Sequence, residues 1–112
     1  MKKVVAIIRA TKFETVKEAL SKVGVNFFTY YEVRGFGLEK GEHIVYRGAV
    51  YDMGYIARYK LEIITTEEKV SEVVSVIVQN AKTGEIGDGK IYVESLDTVY
   101  RIRTGEEGKS AV

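Results

Sequence analysis

The sequence predicts one α+β domain in which two β-α-β halves contribute four strands to a single antiparallel sheet, with both helices on the same face. Three observations predict it. The chain has 112 residues, close to the modal domain size and enough for one core rather than two. Its 46% apolar and 29% charged residues are the balance of an ordinary globular chain. Along it the hydrophobic period changes from that of a strand to that of a helix and back, and does so twice. Right-handed crossovers then place the halves side by side in the ferredoxin-like arrangement, read as a single domain over 1–112.

Each element follows in order. Residues 2–9, KKVVAIIR, are a short β-branched run that reads as a strand covered on both faces. Thr11 stands where a helix cap belongs, and Phe13, Val16, Leu20 and Val23 then recur at helical spacing, with Glu14, Lys17, Glu18 and Lys22 on the solvent side. Gly24 follows as a terminator. VNFFTYYEVRGF, 25–36, is aromatic and β-branched and reads as a long strand. Residues 37–55 carry five charges and four glycines among short apolar stretches and read as a long flexible loop.

The second half repeats the plan. From Ile56, Arg58, Lys60 and Glu62 alternate with Ala57, Tyr59, Leu61 and Ile63, the period of a strand. Thr66 caps EEKVSEVVSVIVQNA, where acids in the first turn suit the helix dipole and Val70, Val73, Val74, Ile77 and Val78 share one stripe. A glycine-rich turn leads to KIYVE as a strand, VYRIR as a short last strand, and a polar tail over 104–112. The sheet face away from the helices has no cover within the chain; it is expected to be apolar and buried in an oligomer.

Composition narrows the function classes. With no cysteine there is neither a disulfide framework nor a thiolate metal site, which fits a reducing cytoplasm. The basic N-terminus lacks an h-region and cleavage site of secretory type. A net charge of +1 argues against a general nucleic-acid surface, so any anion site must be a local cluster. His43, the single histidine, has no partner for a metal site or a triad and reads as a solvated loop residue. Glu67–Glu68 and Glu106–Glu107 sit at a helix start and in a polar tail, where dipole and solubility account for them. No nucleophile or acid–base pair emerges, and the chain reads as a binding protein rather than an enzyme.

The glycine-rich turn, TGEIGDGKIYV (83–93), carries the chemical signal. Gly84, Gly87, Gly89 and Lys90 fit a phosphate loop up to its last position, where Ile91 replaces the Mg²⁺-binding hydroxyl. The turn also leads from a helix into a strand, the reverse of a phosphate loop. It can still form an anion nest of successive N–H groups beside Lys90. Arg101 and Arg103 lie two apart on the predicted last strand, which would point both guanidiniums to one side for gripping a polyphosphate.

RGFG (34–37), KG (40–41), YRGAVY (46–51), TGEIGDGKIYV (83–93) and RIRTGE (101–106) together resemble the PII nitrogen-regulatory signal-transduction family across the whole chain. The resemblance implies a cytoplasmic ferredoxin-like homotrimer, recruited to a membrane protein in some members, that binds ATP or ADP in each cleft between subunits. It implies that loop 37–55 docks on a membrane transporter, a metabolic enzyme or a regulator. The nucleotide-contacting positions would be Gly35, Gly37, Lys40, Gly87, Asp88, Gly89, Lys90, Arg101 and Arg103, with Thr29, Glu62 and Ile64 around the base. Arg47 and Tyr51 would dock the partner, Tyr51 being a position that the family modifies.

The chain departs from the family's pattern at the effector site and loop. Ala10-Thr11 replace Pro-Phe, Ala57 a proline, Leu38-Glu39 an Arg-Gln pair, Gly54 an aspartate and Arg58 a lysine. Glu39 offers a hard carboxylate to Mg²⁺ held with the nucleotide. It would also face the 2-oxoglutarate dianion, and like charges a few ångströms apart cost roughly 1 kcal/mol in water and about 4 kcal/mol at intermediate dielectric. The expected response to 2-oxoglutarate is therefore weak or absent. A sensor of another small anion or nucleotide that regulates a transporter is the alternative.

Overall fold

The computed structural model describes residues 1–35, 44–46, 49–51 and 57–112. In chain order the elements are β1 (Lys2–Arg9), α1 (Phe13–Lys22), β2 (Thr29–Val33), β3 (Ile44–Tyr46), β4 (Ala49–Tyr51), β5 (Arg58–Thr65), α2 (Val70–Ala81) and β6 (Gly89–Ser95). Four of them form one sheet in the order β2-β5-β1-β6, every pair antiparallel. This is the ferredoxin-like α+β order expected from the two β-α-β halves, with β1 and β5 in the centre.

The helices cover one face because their apolar stripes have only that face to bury against. Phe13, Val16 and Leu20 of α1 and Val73, Ile77 and Ala81 of α2 are buried with Val4, Ala6 and Ile8 of β1 and Leu61 and Ile63 of β5. Each large side chain so buried contributes about 1.5–3 kcal/mol. An aromatic group extends this core to the outer strand: the Phe13 ring lies 4.5 Å from Tyr30 and 4.8 Å from Tyr59.

The opposite face differs from the apolar surface expected. Val5 is fully buried, but the row beside it is ionic, with Lys3 Nζ 3.7 Å from both Glu62 and Glu94 on the flanking strands. Lys60 Nζ lies 5.7 Å from the Tyr31 ring centroid, and its pKa is raised first by hydrogen bonding to Tyr31 and then to Tyr92. Glu62 and Glu94 thus both pair with Lys3. Alternation along β5 fails at Arg58, placed on the polar side by sequence yet only 7% exposed.

Other boundaries shift. Neither threonine caps its helix through its side chain; a 3₁₀ turn precedes each, Ala10–Lys12 and Glu67–Lys69, so the α-helical N-caps fall on Lys12 and Lys69. The strand expected from Ile56 begins at Arg58, and that expected over 25–36 occupies Thr29–Val33. Within the span read as a loop, β3 and β4 pair antiparallel as a hairpin. His43 lies outside the described residues.

The last strand expected over 99–103 does not form. Tyr100 makes one isolated bridge to Glu107, and the chain turns between them, Gly105 N–H donating to Arg101 O at 2.7 Å and Arg101 N–H to Glu106 O at 2.8 Å. Gly105 takes a φ of 73° there, which glycine adopts without a Cβ clash. The polar tail is folded back too: Gly108–Ala111 form a 3₁₀ turn, and Lys109 Nζ lies 3.1 Å from Glu68.

Candidate functional site

Two sites emerge at opposite ends of the sheet, and the sequence-predicted residues divide between them. At one end lies the turn between α2 and β6, organised around Asp88. Its carboxylate accepts hydrogen bonds from the Thr83 hydroxyl, from the Thr83 and Gly84 N–H groups at 2.8 and 3.0 Å, and from Arg9 Nε at 3.1 Å. These donors, the Thr83 hydroxyl first, hold the Asp88 carboxyl far below the ordinary carboxylate range against the opposing cost of desolvation. Asp88 thus uses its side chain to shape the turn it belongs to.

Two guanidiniums fasten the same turn from the sheet side. Arg9 Nη2 donates to Ile86 O at 2.8 Å and Arg58 Nη2 to Gly87 O at 3.1 Å. Arg58 also stands beside Gly35, where a Cβ would lie 4.0 Å from Nη1. So Gly35, Gly87, Asp88, Gly89 and Arg58 are brought together, with Lys90 exposed at the start of β6. Gly87 and Gly89 hold φ values of 101° and 104°, which explains why this turn needs glycine at both places.

At the other end a groove of about 700 Å³ opens between the segment after α1, the end of β5 and the C-terminal segment. Thr29, Glu62, Ile64 and Arg101 line it, with Phe27 and Phe28 supplying apolar wall and Lys3, Lys69 and Lys109 positive charge. Lys69 also ties its rim, donating from Nζ to Val23 O at 2.7 Å. Arg101 is held by Glu106, Nη1 to Oε1 3.4 Å. Arg103 is exposed in the adjoining turn, so the two arginines do not share a strand face as expected.

The halves stand apart. Lys3 lines the groove, whereas Ile8, five residues along β1, pairs with Gly89 at the glycine turn, a separation of about 17 Å. Gly37, Glu39, Lys40 and Arg47 lie outside the described residues, and Tyr51 is described only as part of β4. The sequence reading missed Arg9, Lys69 and Lys109. For Arg9 a signal existed, a lone basic residue ending an apolar strand, but the partner that explains it is 79 residues away. Among the described residues no group of histidine and carboxylate side chains is placed to hold a metal ion.

The fold thus carries a stapled glycine turn at one end of its sheet and a basic-walled groove at the other, within one small α+β domain. The family model of nitrogen regulatory protein P-II matches residues 1–106. Over all 112 residues the chain is 47% identical to a nitrogen regulatory protein P-II of Pasteurella multocida, covering the whole of that protein, and 46% identical to P-II 1 of Escherichia coli K12, again in full. It is 49% identical to P-II 2 of Methanothermobacter thermautotrophicus, of which it covers 97%. The chain belongs to the P-II family of nitrogen regulatory, signal-transduction proteins.

Proposed function

We propose that the chain is an adenine-nucleotide-binding signal-transduction protein of nitrogen and carbon regulation, which controls a partner protein through the segment 37–55. The observation that carries this reading is the division of the site. A phosphate-sized turn with Gly87, Gly89 and Lys90 lies at one end of the sheet, and an apolar, basic-rimmed groove with Thr29, Glu62, Ile64 and Arg101 at the other. One chain cannot wrap both around one ligand; two adjacent copies of it can, each giving its turn to the other's groove. A homotrimer closes such a ring with three equivalent clefts. In this reading ATP or ADP places its base against Ile64 and its phosphates on the partner copy's turn, with Arg101 and Arg103 over them.

A further part of the reading concerns the effector. By the family resemblance Glu39 would put a carboxylate where a dicarboxylate effector approaches, and the Arg58 guanidinium is already bonded to Gly87 O. Both favour a weak or absent 2-oxoglutarate response, and they leave room for a second reading in which another small anion is sensed. Mg²⁺ would enter with ATP, Glu39 being the carboxylate offered to it.

Calorimetry against ADP, ATP, and 2-oxoglutarate or bicarbonate in the presence of Mg-ATP tests the proposal. Saturable ATP or ADP binding with little heat from 2-oxoglutarate supports it. Absence of nucleotide binding refutes it, and a strong bicarbonate response without nucleotide selects the second reading.

A further inference from the structure

The peptide linking Ile86 to Gly87 is trans and planar, so its N–H points opposite to its C=O. Arg9 Nη2 donates to that C=O at 2.8 Å, which points the Gly87 N–H away from the guanidinium. That N–H makes no hydrogen bond among the described residues. The next carbonyl, Gly87 O, is held by Arg58 Nη2 at 3.1 Å, so the turn is fixed on two successive peptides and cannot swivel as a unit. Arg9 Nε meanwhile grips Asp88, which in turn gathers the Thr83 and Gly84 amides. Both guanidiniums are largely covered, Arg58 7% exposed and the Arg9 side chain 13%. They are therefore part of the scaffold, not solvated charges.

We propose that Arg9 and Arg58 are positioning residues that aim the Gly87 amide outward and so pre-form the anion-binding face of the turn. The inference rests on the anion-binding reading given above and assigns these two arginines no contact with the ligand. It gives Arg9 a reason to be arginine: one guanidinium reaches a carbonyl and a carboxylate at once from a fixed plane, which a single ammonium does not. A nest already oriented before the anion arrives does not spend binding energy on turning peptides. Arg58 so used is also withdrawn from any role in gripping a free dicarboxylate.

The test uses the full chain in its native assembly, with ADP and inorganic triphosphate as separate probes and Gly87 followed by its amide proton and nitrogen shifts. In the wild type both probes should move the Gly87 signal. Arg9→Gln should weaken both by about tenfold and leave the Gly87 signal unmoved at equal probe concentration, since bonds to charged groups are worth that much. Arg9→Lys should recover part of both effects. If Arg9→Gln is folded, binds both probes within twofold of wild type and shows the wild-type Gly87 shift, the proposal is overturned and Arg9 is only structural. Should Arg9→Gln fail to fold, Arg9→Lys decides, an unchanged affinity and shift counting against the proposal. Triphosphate moving Gly87 while ADP does not would refute the adenylate reading and leave this one standing. If neither probe moves Gly87 in the wild type, both fall.

Discussion

Gly89 meets Ile7 so closely that a Cβ built on it would lie 1.7 Å from the Ile7 carbonyl oxygen. The contact is backbone to backbone where β6 enters the sheet beside β1, and Gly89 also holds a φ of 104°. No rotamer change relieves it. Gly89→Ala should therefore destabilise the fold by more than about 3 kcal/mol, or block folding, as denaturant titration would read. Gly84, whose Cβ would meet nothing within 4 Å, is the control: Gly84→Ala carries only the strain of its φ of 89°.

Asp88 gives a pH signature. Its carboxyl is depressed in the folded chain, so its contribution is present in full above the unfolded pKa of about 3.9 and is lost as pH falls toward the folded value. The excess thermal stability of the wild type over Asp88→Asn should be constant above about pH 5 and shrink steadily below pH 4. An excess that grew on acidification would contradict the assigned sign. At neutral pH, removing the acceptor altogether in Asp88→Ala should cost about 2 kcal/mol, because Thr83 and Gly84 lose their partner.

Much of this was legible beforehand, and the exceptions share a cause. Helix stripes and the four sheet strands follow from local period, which the chain carries in Phe13–Leu20, Val70–Val78 and Leu61–Ile63. VYRIR has the same alternation but joins neither edge strand of the sheet, β2 or β6, and Tyr100 bridges only to Glu107. Tyr100 and Ile102 stay 64% and 99% exposed, and Gly105 turns the backbone instead. Period reports which face a residue would choose, not whether a neighbour exists. Arg9 and Arg58 escaped for a related reason: a charge is read as solvated until a carbonyl of a distant turn is seen beside it.

Exposed apolar side chains carry the assembly prediction. Phe27 and Ile102 are 79% and 99% exposed at the groove and the turn beside it, more than a solitary chain is expected to leave wet. Light scattering at micromolar concentration should give three times the 12.6 kDa chain mass. A monomeric mass would remove the shared-cleft account.

Glu39 sets the effector prediction. Replacing it by glutamine removes the like charge facing a dicarboxylate, so Glu39→Gln should raise 2-oxoglutarate affinity in the presence of Mg-ATP by about tenfold or more. Micromolar binding by the wild type, unchanged on substitution, would show that the carboxylate does not govern the effector.

The claim that one nucleotide site is shared by two copies is tested most directly by complementation. Lys90→Ala removes an exposed cation beside the turn, and Arg101→Ala removes one of the cations that line the groove. Each variant alone should lose ADP binding by calorimetry. Co-expressed, the two should form mixed assemblies in which the intact turn of one copy faces the intact groove of the other, restoring binding at a fraction of the clefts. Mixed assemblies that bind no more ADP than either parent would contradict the shared site.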